Sequence, residues 1–397
     1  MNEHFDVAVV GGGPGGLVTA ARAARLGAKV VVLEQAAQPG GFGRSPALGG
    51  LPVNLGPHAL YLGGTAHRAL QELGVPLTGF VPGGPGFFES DGALVPMPMS
   101  VGGLLGASWL SWRERVELAL SLREVLGAPP AGTFADWLAR RRSGQVRAFF
   151  ATLMRVSSYV NAPQLLSAAR AFSQLRQVVS PRSQGVLYLD DGWQGFVDAL
   201  AKRVEVRCAS RVTKVEPGRV HLQGGAVLEA SQVALAVPLA AAASMLGQPA
   251  PGGLVPVRAA CLDLVLRTLP KPERRLVFGL DEPTYFSVHT APGGAPLRVH
   301  ALWYLPCGGP EEDVAAKLEA FVDRAQPGWR DVLVERRYFP HMRVMEDVPR
   351  DEPLVFPTPR GVHLLSGATT RSFIFDAVVE AGQGVLAALA SPGAAAR

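Results

Sequence analysis

The chain has 397 residues, of which 48% are hydrophobic and 18% charged, so it can form about two domains with a large buried core. Its formal net charge is +5, but only residues 140–147 are densely basic, which we interpret as a solvated helix end rather than a nucleic-acid surface. No apolar run reaches the roughly 20 residues of a membrane-spanning helix. The three cysteines form neither a metal nor a disulfide pattern, and the acidic start enters a strand at once. Together these features predict a cytoplasmic protein without a bound metal.

The first predicted elements are a strand, a glycine-rich turn and a helix. Residues 5–10 are apolar and β-branched, residues 17–26 have helical spacing, and VVGGGPGG lies between them. In this arrangement Gly11 permits the tight turn, Gly13 lets the backbone approach a diphosphate, and Gly16 lets the helix pack closely on the strand. Free N–H groups at the helix N-terminus favour phosphate, so the sequence predicts a dinucleotide site.

A second predicted strand, residues 29–33, ends at Glu34, eighteen residues after Gly16. An acidic residue at about this offset binds the ribose hydroxyls of an adenosine. No basic residue directly follows Glu34, which disfavours a 2′-phosphate and therefore NADP. This unit alone leaves both NAD and FAD open.

The rest of the chain alternates between a helical stretch and groups of short strands. Residues 111–181 read as helices, with capping-box pairs at Ser111–Glu114 and Thr133–Asp136. Short strands follow from residue 186, and VALAVP (233–238) is predicted to join the parallel sheet that begins at residue 5. We expect two interleaved domains, one built from residues 1–78, 186–247 and 354–397, the other from residues 79–185 and 248–353.

Several further passages, in this order, resemble the flavoprotein superfamily of phytoene desaturases, protoporphyrinogen oxidases and flavin amine oxidases. They are the turn through Glu34, Gly40-Gly41 with Arg44, NLGPH (54–58), LDDGWQGFVDAL with RVTKV, VALAVP, and GVHLLSGATT with DAVVEAG. The resemblance implies an α/β fold. In it, a Rossmann-like FAD-binding domain of the glutathione-reductase type is interleaved with a mixed α+β substrate domain.

The resemblance also implies FAD, held non-covalently because no cysteine lies near Gly367. It assigns to the cofactor Gly11, Gly13, Pro14, Gly15, Gly16, Glu34, Gln35, Gly40, Gly41, Arg44, Gly56, Pro57, His58, Val212, Gly367, Ala368, Asp376, Ala377 and Val378. Ala368 stands where the family usually has an aspartate that bonds the cofactor. Since a charged hydrogen bond contributes about 1.5–3 kcal/mol, we expect looser retention of FAD.

In such enzymes the flavin takes a hydride from a C–H bond laid against its ring. His58 is the candidate catalytic residue, because Gly56-Pro57 fixes the turn before it; a structural hydrogen bond is its alternative role. Apolar and aromatic residues throughout 97–180 and 259–304 predict a hydrophobic substrate, such as an isoprenoid, a polyene or another secondary metabolite.

Several alternatives stay open at this stage. A non-catalytic lipid or prenyl carrier is motivated by Ala368, and a redox-neutral flavin-dependent isomerase shares the same motifs. Amine oxidation is the weaker option, since the last motif has no aromatic pair. The segment 97–122, with Trp109 and Trp112 beside arginines, is either a buried amphipathic helix or a peripheral membrane contact.

Overall fold

The computed structural model describes residues 3–56, 59–98, 101–180, 182–309 and 312–391. Two large sheets organise these residues. The strands are β1 (His4–Val10), β2 (Val30–Leu33), β3 (Ala47–Leu48), β4 (Leu51–Pro52), β5 (Ala59–Tyr61), β6 (Gly79–Phe80), β7 (Phe87–Ser90), β8 (Ala93–Pro96), β9 (Val186–Leu189), β10 (Glu205–Arg207), β11 (Val212–Glu216), β12 (Arg219–Leu222), β13 (Val227–Leu235), β14 (Val257–Leu266), β15 (Leu276–Gly279), β16 (Thr284–Val288), β17 (Leu297–Tyr304), β18 (Leu333–Met345) and β19 (Val362–Leu364).

Helices cover the sheets and connect their strands. They are α1 (Pro14–Arg25), α2 (Thr65–Glu72), α3 (Val101–Leu105), α4 (Trp112–Leu126), α5 (Phe134–Ala139), α6 (Gly144–Ser158), α7 (Ala168–Val179), α8 (Gln194–Ala201), α9 (Leu239–Met245), α10 (Ala315–Ala325), α11 (Ile374–Ala381) and α12 (Gln383–Ala390). Short 3-10 turns lie at Gly41–Gly43, Trp329–Val332 and Gly367–Thr369.

The first sheet has the strand order β10-β2-β1-β13-β12-β11, and β19 also pairs with β13. Strand β1 runs parallel to both β2 and β13, and β13 runs parallel to β19. The prediction that the strand of VALAVP joins the sheet of residues 5–10 is therefore confirmed. All four residues of β2 are buried, as expected of a parallel strand that is covered on both faces.

The second sheet has the order β18-β14-β17-β16-β15-β7-β8, and its strands are antiparallel except for the pair β7 and β15. Alternate residues of β14 point to opposite faces. Leu262 and Leu264 pack with α10, whereas Ala259 and Cys261 belong to the core formed with α4 to α7. Helices thus cover both faces of this sheet.

Each large sheet draws all its strands from one of the two predicted sets of chain segments. The first sheet uses strands within 1–78, 186–247 and 354–397, and the second uses strands within 79–185 and 248–353. A three-stranded sheet, β5-β9-β6, lies where the chain crosses between them. The predicted fold class, a Rossmann-like unit interleaved with an α+β unit, is confirmed.

Local patterns predicted the starts of two helices correctly. The capping boxes of Ser111 with Glu114 and of Thr133 with Asp136 both form at the N-termini of α4 and α5. Strand β18 runs to Met345 because it pairs with β14 along that length. Helix α7 begins only at Ala168, since the Leu165 and Leu166 amides close turns on the Ala162 carbonyl.

Candidate functional site

A cavity of about 390 Å³ lies at the carboxyl ends of β1, β2 and β13, beside the N-terminus of α1. It collects residues that are far apart in the sequence. The predicted cofactor residues that line it are Gly11, Gly13, Pro14, Gly15, Gly16, Glu34, Gln35, Gly41, Val212, Gly367, Ala368, Ala377 and Val378. The cavity has the size of a small-molecule or cofactor site.

The glycines of the first turn are required for different structural reasons. Gly11 has a φ of +104°, and a Cβ there would lie 2.3 Å from the Ala236 carbonyl oxygen. A Cβ on Gly16 would lie 2.2 Å from the Gly11 oxygen, so this glycine allows helix and strand to touch. At Gly13, the N-cap of α1, an added Cβ would meet nothing within 4 Å. The turn therefore leaves open space directly in front of the helix.

The N-terminus of α1 has neither a side-chain cap nor an acidic residue in its first turn among the residues that the structure describes. Its first N–H groups have no partner within the helix, and the helix dipole adds partial positive charge at this end. An anionic diphosphate satisfies both requirements.

Glu34 lies on the cavity wall at the end of β2, where it is only 8% exposed. Its Oε2 atom accepts a hydrogen bond of 2.8 Å from the Gly12 amide, and its Oε1 atom accepts one of 2.8 Å from the Ala36 amide. Each carboxylate oxygen keeps a further lone pair, which can accept a ribose hydroxyl. The residues present therefore fit the adenosine diphosphate half of a dinucleotide.

Other predicted cofactor residues lie outside the cavity lining. The Gly40 amide donates to the Gly12 carbonyl over 2.7 Å, so Gly40 shapes the loop behind the site. Arg44 is exposed, and Gly56 packs so closely on Phe42 that a Cβ would lie 2.8 Å from its carbonyl oxygen. These residues support the loop that contains Phe42, which does line the cavity.

Asp376 makes contacts different from the predicted cofactor contact. Its Oδ1 atom accepts a hydrogen bond of 2.7 Å from the Ala66 amide, in the first turn of α2. Burial raises the pKa of this carboxyl, and the amides of Ala66 and Thr65 oppose that effect. Asp376 thus joins α11 to the start of α2. Pro57 and His58, including the predicted catalytic role of His58, lie outside the described residues.

Sequence reasoning missed the wall formed by residues 343–354, which lie at and after the end of β18. Glu346 is the notable side chain there, because it brings a carboxylate close to the position of Ala368. Its Oε1 atom accepts from the Leu239 amide over 2.7 Å, and its Oε2 atom accepts from the Ser366 hydroxyl over 3.1 Å. No local motif marks this residue, so only the tertiary structure identifies it.

A buried polar network connects the second sheet to the cavity. The Arg337 guanidinium bonds Asp263 Oδ2 at 2.7 and 3.1 Å, and it also donates to the carbonyls of Val53 and Asn54. The side chain of Asn54 in turn accepts from the Trp193 amide over 2.9 Å. Trp193 lines the cavity, so an ion pair of the second sheet supports one cavity wall.

Asp263 also belongs to a buried group with Cys261 and His300, whose ligand-type atoms lie within 4.8 Å of one another. His300 Nδ1 lies 2.6 Å from Asp263 Oδ1 and 3.3 Å from Cys261 Sγ. Burial and the neighbouring carboxylate raise the pKa of the Cys261 thiol well above its usual range, which keeps it protonated. With Arg337 on the same carboxylate, this group is a hydrogen-bonded ion pair rather than an open metal site.

Tyrosines gather between the helical segment and the second sheet. The chain has six tyrosines, and five of them lie in this region: Tyr61, Tyr159, Tyr188, Tyr285 and Tyr304. The hydroxyls of Tyr188 and Tyr285 lie 2.8 Å apart, and Tyr61 donates to the Ser157 carbonyl over 3.2 Å. Burial raises the pKa of all five phenols, so each keeps its proton as a hydrogen-bond donor.

Known proteins resemble this chain, either in part of the sequence or in the fold. An uncharacterized protein of Mycobacterium tuberculosis is 42% identical over 81 residues, which are 19% of this chain and 15% of that protein. An oxidoreductase from Methanosarcina mazei has the same fold, with a TM-score of 0.77 and 17% identity over 96% of this chain and 99% of that one. Putrescine oxidase bound to putrescine has a TM-score of 0.71 and 17% identity, over 98% and 99%.

The structural likenesses, at these identities, show the fold alone, and the curated relative is matched over about 15% of its length. The family model of the flavin containing amine oxidoreductases matches residues 14–261, from the start of α1 into β14. This match covers more than half of the sequence and agrees with the glycine-rich turn and Glu34 at the cavity. The chain therefore belongs to the flavin containing amine oxidoreductase family, whose members are flavin-dependent oxidoreductases.

Proposed function

We propose that this protein is an FAD-dependent oxidoreductase, a dehydrogenase, desaturase or oxidase, that takes a hydride from a hydrophobic small molecule. The uncapped N-terminus of α1, which faces open space at Gly13, is the observation that supports this most directly. When bound, FAD supplies the hydride acceptor. The α1 amides hold the diphosphate, Glu34 holds the ribose, and Val212 contacts the adenine. All these contacts are non-covalent.

The apolar character of the substrate region supports a hydrophobic substrate. Phe88 contacts Trp109, Phe149 and Phe278 in the core between the helices and the second sheet. Such apolar side chains would exclude water from a molecule bound beside them. We infer that a cationic amine is disfavoured here, because the buried acids Asp263 and Glu89 of the second sheet are already bonded to Arg337 and Arg324.

The test is an absorbance spectrum followed by anaerobic substrate screening. We expect a yellow protein that releases FAD on denaturation, and a colour that bleaches anaerobically with lipophilic compounds but not with matched amines. Bleaching by amines would favour the amine oxidase alternative. Colourless protein that takes up no added FAD would overturn the enzyme and favour a lipid or prenyl carrier. Turnover without net consumption of an oxidant would indicate the isomerase.

We also propose that α4 contacts membrane surfaces peripherally. No helix in the described part of the chain has the length and hydropathy to cross a bilayer. Trp112 is 69% exposed, and Val116 and Leu120 are exposed on the same face of α4. Trp109, the other tryptophan of this segment, instead packs on Phe88 and donates to the Pro96 carbonyl. A cytoplasmic location stays a prediction.

A further inference from the structure

Arg155 has fewer partners than several other buried arginines of the chain. Arg170 donates to three backbone carbonyls, Arg298 does the same, and Arg337 bonds a carboxylate and two carbonyls. The Arg155 guanidinium donates only to the Thr152 hydroxyl, over 2.8 Å. Within the described ranges no carboxylate lies within 4 Å of it.

This arginine keeps its charge although its side chain is partly buried. Burial lowers its pKa to about 10, so the guanidinium is still protonated at neutral pH. A desolvated cation without a counter-ion is unfavourable, and buried charges in proteins are normally paired. The side chain therefore lacks a partner that an anionic ligand would supply.

Two phenols lie in the same region and also lack hydrogen-bond partners among the described residues. Tyr159 ends α6 four residues after Arg155, with its amide on the Arg155 carbonyl. The ring of Tyr159 packs edge-to-face on the ring of Tyr304, with centroids 5.6 Å apart. In the part of the chain that the structure describes, neither hydroxyl has a hydrogen-bond partner. Both phenols are protonated donors, so the three side chains together offer donors without an acceptor.

Tyr159 has a second unusual feature, which is its backbone conformation. It ends α6 with a φ of +65°, a left-handed conformation that is rare for a bulky residue and costs free energy. The aromatic ring of this residue lies against that of Tyr304. Strained residues of this kind concentrate at ligand-binding sites.

Hydrogen bonds connect the neighbourhood of this group to the segment beside the dinucleotide cavity. Tyr61, which bonds the carbonyl of Ser157 near the end of α6, lies three residues after the NLGPH segment. Asn54 of that segment bonds the amide of Trp193, which lines the dinucleotide cavity. The surroundings are apolar, with Phe149 and Met342 in the same core as Tyr159.

We propose that Arg155, Tyr159 and Tyr304 bind the carboxylate of an otherwise apolar substrate. The substrate class is then an aliphatic or aromatic carboxylic acid. A planar guanidinium matches the two oxygens of a carboxylate, and the two phenols can donate to the same oxygens. The inference rests on the proposed function in one respect: the end of the substrate away from the carboxylate is the part that is oxidised.

The experiment compares ligands that differ only in charge. Phenylacetate and decanoate are titrated against their primary amides, with phenylphosphonate and 2-phenylethylamine as further probes. Binding is followed by thermal shift and by changes in the flavin absorbance band. Because a charged hydrogen bond is strong, the wild type should bind the carboxylates at least about tenfold more tightly than the amides.

Variants test which side chains cause the preference for carboxylates over amides. Arg155→Met should abolish the carboxylate preference, Arg155→Lys should keep part of it, and Tyr304→Phe should weaken it while preserving the fold. Arg147→Met, an exposed change on the same helix, should leave it intact. Equal binding of carboxylates and amides by the wild type, or an unchanged preference in Arg155→Met, overturns the proposal, and tighter binding of phenylphosphonate identifies a phosphate site instead and also overturns it. Carboxylate preference in a protein that takes up no FAD would refute the proposed function but not this inference.

Discussion

Residues of the same type have different roles in the glycine-rich turn. Gly16 is required by the fold, since a Cβ would lie 2.2 Å from a backbone oxygen, whereas the space next to Gly13 is open. Gly13 also has an ordinary φ of −75°, which alanine adopts without strain. The motif thus contains one glycine for packing and one that leaves room for a ligand.

This difference predicts opposite outcomes for two matched substitutions. Gly13→Ala should leave the thermal unfolding midpoint of the apoprotein unchanged and weaken FAD binding about tenfold or more, because the methyl group enters the space for the diphosphate. Gly16→Ala should lower the unfolding midpoint strongly through its backbone clash. Titration of apoprotein with FAD and thermal melts measure both effects. FAD affinity that is unaffected by Gly13→Ala would contradict the assignment of this cavity to the diphosphate.

At the scale of elements, α4 has one buried face and one apolar face that is exposed. Leu118, Ser121 and Val125 are buried, while Trp112, Val116 and Leu120 recur every four residues on the outer side. The capping box at Ser111 fixes the start of the helix and so the direction of this outer face. Arginines at both ends of the helix add positive charge, as in helices that lie on membrane surfaces.

We expect the protein to cosediment with vesicles of phosphatidylcholine and phosphatidylglycerol. Leu120→Glu should reduce the bound fraction, because it places a charge within the apolar face. Val355→Glu is the matched control, since Val355 is an exposed apolar residue outside α4. Equal sedimentation of wild type and Leu120→Glu, or no sedimentation of the wild type at all, would rule out this contact.

At the scale of the whole molecule, Arg337 links the second sheet to the segment next to the dinucleotide cavity. It holds Asp263 of β14 and, at the same time, the backbone of Val53 and Asn54 next to the dinucleotide cavity. Removing one partner of a buried ion pair is far more destabilising than removing both, since the remaining charge stays buried. This pair therefore stabilises the contact between the second sheet and the segment beside the cavity.

Arg337→Met should lower the free energy of unfolding by about 3–5 kcal/mol, and adding Asp263→Asn should recover part of that loss. Arg336→Met removes the neighbouring surface pair with Glu319 and should cost only about 0–1 kcal/mol. Urea unfolding followed by tryptophan fluorescence measures all three. Similar losses in Arg337→Met and Arg336→Met would show that the buried pair has no special role.

The sequence by itself determined the parts that depend on local pattern. The apolar strand before Gly11, the helix after it, Glu34 and the two capping boxes could be predicted, because period, turn geometry and capping act within a few residues. The motifs in their order also predicted the family and the interleaved α/β fold. For Asp376 the motif predicts a cofactor contact, and only the structure shows that its carboxylate also accepts from the amide of Ala66.

Only the tertiary structure decided which distant side chains meet. Glu346 at the cavity, the Arg337–Asp263 pair and the partners missing at Arg155 depend on contacts between residues dozens to hundreds of positions apart. No local pattern encodes such contacts, because burial and charge pairing are properties of the packed chain. Whether a side chain has a partner within the protein or is free to bind a ligand is known only once the positions of all its neighbours are known.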